Sequence, residues 1–290
     1  MKPPPFEYHD PTALEEALDL LRRYGGEAKI LAGGQSLMPL LNFRLARPTA
    51  LVDINRVQAL AYIREADGQL RVGALTRQRA IEFSPLVRER LPLLAEATTL
   101  VGHLPIRSRG TVGGSLAHAD PAAEYPAVAT ALDAELVVRG PQAERVLGPE
   151  EFFQTYLTTA LAPEEMLVEV RLPIPPQGSG WAFEEFSRRQ GDFAIVGIVA
   201  VLDADAGRCR AARLAAAGAG PKPIRLRGAE QILEGEELNE RTMEAAASRA
   251  AELVEPESDI HASGEYRRHL TRVLTRRAIR QAAARCREKR

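Results

Sequence analysis

Two short glycine-centred segments hold the residues of this chain best suited to chemistry. In LAGGQSLMPLLNFRL, residues 31–45, an apolar lead runs into Ala32, Gly33 and Gly34, then Gln35, Ser36 and a leucine-rich stretch. In RGTVGGSLAHADPAAEY, residues 109–125, Thr111 and Val112 precede Gly113, Gly114 and Ser115. A glycine pair lets the backbone take positive φ and lets neighbouring N–H groups converge with no Cβ between them. Converging amides suit anionic oxygens, and the N-terminus of a following helix adds partial positive charge. Ser36, Ser115 and Thr111 supply short hydroxyls at the rim. On residue chemistry alone, the two segments are either tight turns or the two ends of one dinucleotide-sized phosphate site.

Other chemistries lack their signatures. There is no G-x-x-x-x-G-K-[ST], and no G-x-G-x-x-G opens a helix after a strand. Gly218-Ala219-Gly220 runs into Pro221 and Pro223, which forbid the helix start such a site needs. The histidines at 9, 103, 118, 261 and 269 are scattered without metal-ligand spacing, and no G-x-S-x-G elbow occurs. His118 and Asp120 form the one tempting acid–base pair, with loop capping as their expected role. With 38 basic and 39 acidic residues and a pI near 6.6, nothing points to a nucleic-acid partner. Cys209 and Cys286 are too few for a four-cysteine iron–sulfur or zinc site, and two lone thiols suit a reducing compartment. The N-terminus has no signal-like apolar region and no window is apolar enough to cross a membrane. The expected location is cytoplasmic, with membrane association only through partners.

Flanking elements follow from pattern. Residues 9–26 read as a helix capped by Asp10, with Pro11 in its first turn and Gly25 ending it. Leu14, Leu18 and Leu21 fall on one face. Residues 28–32 read as a short buried strand feeding the first glycine pair, and 50–54 as another. Residues 60–76 read as a hairpin around Asp67-Gly68. Residues 86–102 have helical period despite Pro92, and 121–140 read as a helix followed by a strand. Residues 165–174 read as a further strand, and 173–180 (PIPPQGSG) as a linker. Residues 180–189 and 194–205 read as paired strands. The last segment reads as an amphipathic helix over a Leu270/Val273/Leu274 seam, its basic outer face simply solvated.

The glycine segments, read as AGGQSL and IRSRGTVGGSLAHADPAAEYPAV, resemble the FAD-binding medium subunit of molybdenum hydroxylases, in particular the aerobic carbon-monoxide dehydrogenase type. The likeness continues through GDFAIVGIVAVL, GAGPKPIRLRGAEQILEG and EPESDIHASGEYRRHLTRVLTRRAI. The resemblance implies an α+β fold: a two-subdomain FAD-binding domain of the vanillyl-alcohol-oxidase type, followed by a smaller α+β domain. The boundaries expected are 1–57, 58–174 and 175–290. It implies that Ala32–Ser36 and Thr111–Ser115 hold the FAD pyrophosphate and adjoining groups. Glu124 falls at an acidic position near the cofactor, and Leu161 where backbone lies by the isoalloxazine. Phe193, preceded by Asp192, falls where relatives often place an aromatic near the ring.

Arg107 and Arg109 are candidates for charge near the phosphates. Two departures stand out. Relatives often carry a lysine where this chain has Glu184-Glu185, and Gln35 leaves no histidine in the first loop for a covalent flavin link, so FAD is expected to bind non-covalently. No side chain here is expected to be catalytic toward the substrate. The resemblance also implies a small subunit with two [2Fe–2S] clusters and a large subunit with the molybdenum cofactor, joined as a dimer of heterotrimers. This chain would relay electrons from the clusters to a quinone, a ferredoxin or NAD. The alternative is a stand-alone flavin oxidase or reductase of the same FAD fold, which would need its own acid–base groups.

Overall fold

A computed structural model describes residues 2–288, and three successive sheets organise them. The first is parallel, in the order β1 (Glu7–His9), β3 (Ala50–Asp53), β2 (Ala28–Leu31). Parallel neighbours need crossovers. Helix α1 (Leu14–Tyr24) makes the first and α2 (Leu37–Asn42) lies within the second. The cap of α1 is not the expected one. Ala13 occupies the N-cap, and the Glu16 carboxylate accepts from the N–H groups of Thr12 (2.9 Å) and Ala13 (3.4 Å). Asp10 lies outside the helix and pairs instead with Arg56 at 2.8 Å. Gly25 ends the helix at φ 53°, as its sequence position suggests. Strand β2 stops at Leu31 and is only partly buried.

The second sheet is antiparallel throughout. Its order is β4 (Ile63–Ala66), β5 (Gln69–Gly73), β10 (Met166–Pro173), β6 (Glu135–Arg139), β7 (Glu144–Leu147). Asp67 and Gly68, at φ 53° and 71°, make the turn between β4 and β5. Its helices are α3 (Gln78–Phe83), α4 (Pro85–Arg90), α5 (Pro92–Leu100), α6 (Leu104–Arg109), α7 (Val112–His118), α8 (Glu124–Ala131) and the short α9 (Pro149–Phe152). A small hairpin, β8 (Phe153–Thr155) and β9 (Thr158–Thr159), precedes β10. The run from 86 to 102 is two helices, because Pro92 has no N–H and pushes Leu91 out of helical geometry (φ −143°, ψ 64°).

The third sheet has the order β11 (Gly180–Phe186), β12 (Val196–Asp205), β13 (Arg208–Ala217), β14 (Ile224–Arg225). Helices α10 (Arg227–Leu233), α11 (Glu240–Glu252) and α12 (Gly264–Glu288) follow it. Alternation along its strands serves two cores. Ala182, Ile198, Ala200 and Leu202 face the core shared with α10–α12. Phe183, Val199 and Val201 face the core of the second sheet and its helices α5 and α8. Covered on both faces, this sheet fixes the two parts against each other. The basic stripe of α12 meets acids of α11: Arg276 reaches Glu244 at 3.1 Å, and Arg280 reaches Glu240 at 2.6 Å. No described helix is long and apolar enough to cross a membrane.

Helix α12 lies close against the sheet at Gly180, where an added Cβ would lie 1.8 Å from the carbonyl oxygen of Ala282. Gly180→Ala must push α12 off β11. It is expected to destabilise the chain by roughly 2–4 kcal/mol, a fall of about 5–10 °C in melting temperature, readable in a thermal scan.

Candidate functional site

The first glycine loop leaves β2 at Leu31 and enters α2 at Leu37. Gly34 sits at φ +71°, a conformation glycine adopts without penalty. Gly33 is required by contact: a Cβ there would lie 2.5 Å from the carbonyl oxygen of Arg109 and 2.7 Å from Cα of Gly110. Gln35 braces the loop by donating from Nε2 to the Gly33 carbonyl at 2.9 Å. Among the described residues, the N–H groups of Gly33, Gly34, Gln35, Ser36 and Leu37 have no hydrogen-bond partner. Five consecutive donors therefore stand free along one wall.

The second segment works differently from the sequence expectation. It is not a turn. Thr111 is the N-cap of α7, and Gly113 and Gly114 lie in its first helical turn. The amides there are already engaged: Val112 donates to Thr76 (3.0 Å), Gly113 to Ala74 (2.9 Å), Gly114 to Thr111 Oγ1 (3.0 Å) and Ser115 to the Thr111 carbonyl (3.1 Å). No anion cradle is left on this side. The glycines serve close packing, since a Cβ on Gly113 would lie 2.4 Å from that of Ala74, and one on Gly114 would lie 2.7 Å from Thr111 Oγ1.

Between the two segments runs a cleft of about 770 Å³. It brings together Ala32, Gly33, Gly34, Gln35, Ser36, Thr111, Gly113, Gly114, Ser115, Glu124, Leu161, Asp192 and Phe193. Val112 is elsewhere, buried in the core of the second sheet. The hydroxyls of Ser36 and Ser115 make no hydrogen bond among the described residues. Phe193 is 70% exposed at the mouth, a large aromatic face with little protein against it. A second cavity of about 850 Å³, lined by the 174–181 segment and Asp205, lies away from both glycine segments.

Glu124 begins α8 and is 8% exposed. Burial pushes its pKa up to about 7, Asp120 adding to the rise and Arg107 opposing it. Glu185, on β11, is pushed up to about 8 by burial and by the facing carboxylate of Glu124, and its Oε2 is buried without a partner. Glu185 and Glu124 thus set acid against acid. Asp120 accepts the Ala122 N–H at 2.9 Å, which is the loop-capping role expected of it. His118 lines the cleft with its pKa lowered by burial, Asp120 opposing. Arg107 is not free to serve a ligand: it pairs with Glu82 at 2.9 Å and donates to the carbonyls of Val101 and Gly102. The side chain of Arg109 is exposed.

The cleft also has walls that the sequence did not signal. Leu157, Thr158 and Thr159 reach it from the β8–β9 hairpin, and Gln78 from the start of α3. Gln78 is 4% exposed and its Oε1 has no partner. Five free amides, an unsatisfied buried amide and an apolar mouth together fit an elongated ligand, anionic in its middle and aromatic at an end.

Such a two-sided cleft, between a parallel βαβ-type layer and an antiparallel sheet, suits a dinucleotide-sized ligand. Residues 4–175 match the family described as FAD binding domain in molybdopterin dehydrogenase, and residues 181–282 match the CO dehydrogenase flavoprotein C-terminal domain. The chain belongs to this family of FAD-binding medium subunits of molybdenum hydroxylase-type dehydrogenases. It is 45% identical to the 6-hydroxypseudooxynicotine dehydrogenase complex subunit alpha of Paenarthrobacter nicotinovorans, over 99% of this chain and 97% of that one. It is 42% identical to the caffeine dehydrogenase subunit beta of a Pseudomonas species, over 98% and 97%. The solved carbon monoxide dehydrogenase of Hydrogenophaga pseudoflava superposes with a TM-score of 0.97 at 38% identity, covering 99% of this chain and all of the matched one. The chain is an oxidoreductase subunit, and its cofactor is FAD.

Proposed function

We propose that this chain holds FAD non-covalently in the cleft and serves as the electron outlet of a three-subunit hydroxylase. The observation that carries this reading is the row of five unpartnered amides from Gly33 to Leu37, in residues that line one cleft with the start of α7. Bound there, FAD supplies one- and two-electron redox chemistry, linking the [2Fe–2S] clusters of a small subunit to an acceptor such as a quinone, a ferredoxin or NAD. The loop amides and the Ser36 and Ser115 hydroxyls hold the diphosphate. Leu161 and Phe193 offer apolar walls to the ring system, and Asp192 fixes the Phe193 turn by donating its N–H to the Arg189 carbonyl at 3.0 Å. Glu124, with a pKa near neutrality, can donate a hydrogen bond as an acid or accept one as a carboxylate. Gln35 has no nucleophile to offer the flavin, so the ring stays unlinked.

The bond-breaking step belongs to a large molybdenum subunit. Relatives named for substrates as unlike as hydroxypseudooxynicotine, caffeine and carbon monoxide align along almost the whole chain, which supports placing substrate choice elsewhere. A cytoplasmic dimer of heterotrimers is the assembly this reading carries, with domain boundaries at 57/58 and 174/175 and no nucleic-acid partner. The test is the visible spectrum of the full-length chain, alone and co-expressed with its neighbouring chains. The expected result is a flavin spectrum, released entirely by acid, and co-purification of a cysteine-rich small chain. Flavin that stays with acid-precipitated protein would refute non-covalent binding. Flavin-loaded chain that oxidises a small substrate unaided would favour a stand-alone oxidase.

A further inference from the structure

The two glycine segments touch through backbone at Gly33, and one side-chain relay spans the same junction. Arg77, the N-cap of α3, donates from Nη1 to the carbonyl of Arg109 and from Nη2 to Oδ1 of Asn55 at 2.6 Å. Asn55 donates from Nδ2 to the Ala32 carbonyl at 2.8 Å and to Asp53 Oδ1 at 2.6 Å. The Asn55 N–H also reaches Asp53 Oδ1, at 2.9 Å, and Tyr8 holds the other carboxylate oxygen at 2.7 Å. The relay therefore runs from the first sheet, through the head of the first loop, to the chain entering α7. Next to it, the Gln78 N–H donates to the Gly110 carbonyl at 2.9 Å, and Arg77 bridges Thr111 in antiparallel fashion.

The choice of a guanidinium here has two physical marks. Its planar fork meets two acceptors that belong to different halves of the cleft, which a single ammonium cannot do in the same geometry. It is also half-buried without an ion pair among the described residues, beside the charge of Arg109, with Asp53 in partial compensation. A partly desolvated cation next to another cation is unfavourable by itself and is offset when an anion settles nearby. The free amides that seek an anion begin at Gly33, one residue beyond the Ala32 carbonyl that this relay grips.

We propose that Arg77, acting through Asn55, is a positioning residue that sets the spacing between the two halves of the cofactor cleft and lends positive potential to its centre. The proposal rests on the reading of the cleft as an FAD site. It is tested on full-length, flavin-stripped chain by titrating FAD into the native protein and into Arg77→Ala, Arg77→Lys and Asn55→Ala, with the melting of each flavin-free protein recorded alongside. Arg77→Ala is expected to weaken FAD binding about ten- to a hundredfold, the range for losing charge-assisted hydrogen bonds. Arg77→Lys is expected to recover little of this, and Asn55→Ala to fall between.

Guanidinium ion added at a non-denaturing concentration is expected to restore much of the binding to Arg77→Ala and none to Asn55→Ala. A merely structural loss would not respond to it. Arg77→Ala binding within roughly twofold of native overturns the proposal, as does a weakened variant of unchanged melting that guanidinium leaves weak. If Arg77→Ala does not fold, native-like binding by both Arg77→Lys and Asn55→Ala overturns it equally. A native chain that takes up no FAD, alone or with its partner chains, overturns the cofactor reading and this proposal together, an outcome distinct from the first.

Discussion

Gly33→Val is expected to leave the protein without flavin. A Cβ at this position would lie 2.5 Å from a backbone oxygen and 2.7 Å from a backbone Cα, both in the chain that leads into α7. Neither is the free end of a side chain, so the two halves of the cleft must part. The parting would misplace the five loop amides and stretch the grip on Ala32 at once. FAD affinity should fall on the order of a hundredfold or more, in the range of severe backbone clashes. Gly34→Ala makes the informative contrast. It has a strained φ of +71°, but its Cβ would meet only the side chains of Met38 at 3.2 Å and Leu31 at 3.3 Å, which can shift. Its loss should be about tenfold, near the strain of one left-handed residue. Flavin-to-protein absorbance ratios after gel filtration, with circular dichroism to confirm folding, check both. A folded Gly33→Val that keeps its flavin would show that the junction does not set the site.

The contrast between the two glycine segments shows how far a sequence can be read. Both pairs announced a place where Cβ atoms are excluded, and both line the one cleft. The first kept its amides free because the chain turns from strand to helix with only local bonds. The second lost the amides of Gly114 and Ser115 to the Thr111 cap, a local rule, and those of Val112 and Gly113 to Thr76 and Ala74, more than thirty residues away in sequence, which nothing near Gly113 encodes. Local rules did well where local chemistry decides: the Asp67-Gly68 turn, Gly25 closing α1, the pairing of β11 with β12. They failed where two local rules competed. Asp10 is a good cap by type, but the Glu16 capping interaction started α1 later and left Asp10 to Arg56. Pro92 restarted the helix instead of merely bending it. Arg77, Asn55 and Gln78 carry no motif; only the meeting of the first and second sheets gives them a place.

The pairing of Glu185 with Glu124 joins residues about sixty apart in sequence, and its consequence is a pH-dependent stability. Both carboxyls have pKa values raised above the ordinary 4.5, to about 8 and about 7. Between the unfolded value and these, the folded chain holds protons that the unfolded chain has released. Stability is therefore fully present below 4.5 and is lost as pH rises through about 7 and then about 8. His118 works the other way, its lowered pKa adding stability as pH rises toward its ordinary 6.5, so the range above 6.5 reports the carboxyls.

Across that range the native chain should lose about 2 kcal/mol, an order-of-magnitude figure from linkage. Glu185→Gln removes the last titration, so most of the slope above 6.5 should vanish. Glu185→Lys goes further: an ammonium opposite Glu124 favours its carboxylate, Arg107 adding to the effect and Asp120 opposing it. The variant should then be more stable than the native chain at about pH 8 and gain stability where the native chain loses it. Melting temperatures of flavin-free protein between about pH 6.5 and about pH 8.5 decide the matter. A native profile as flat as that of Glu185→Gln would mean that Glu185 gives up its proton in the ordinary carboxylate range and that burial beside Glu124 does not hold it.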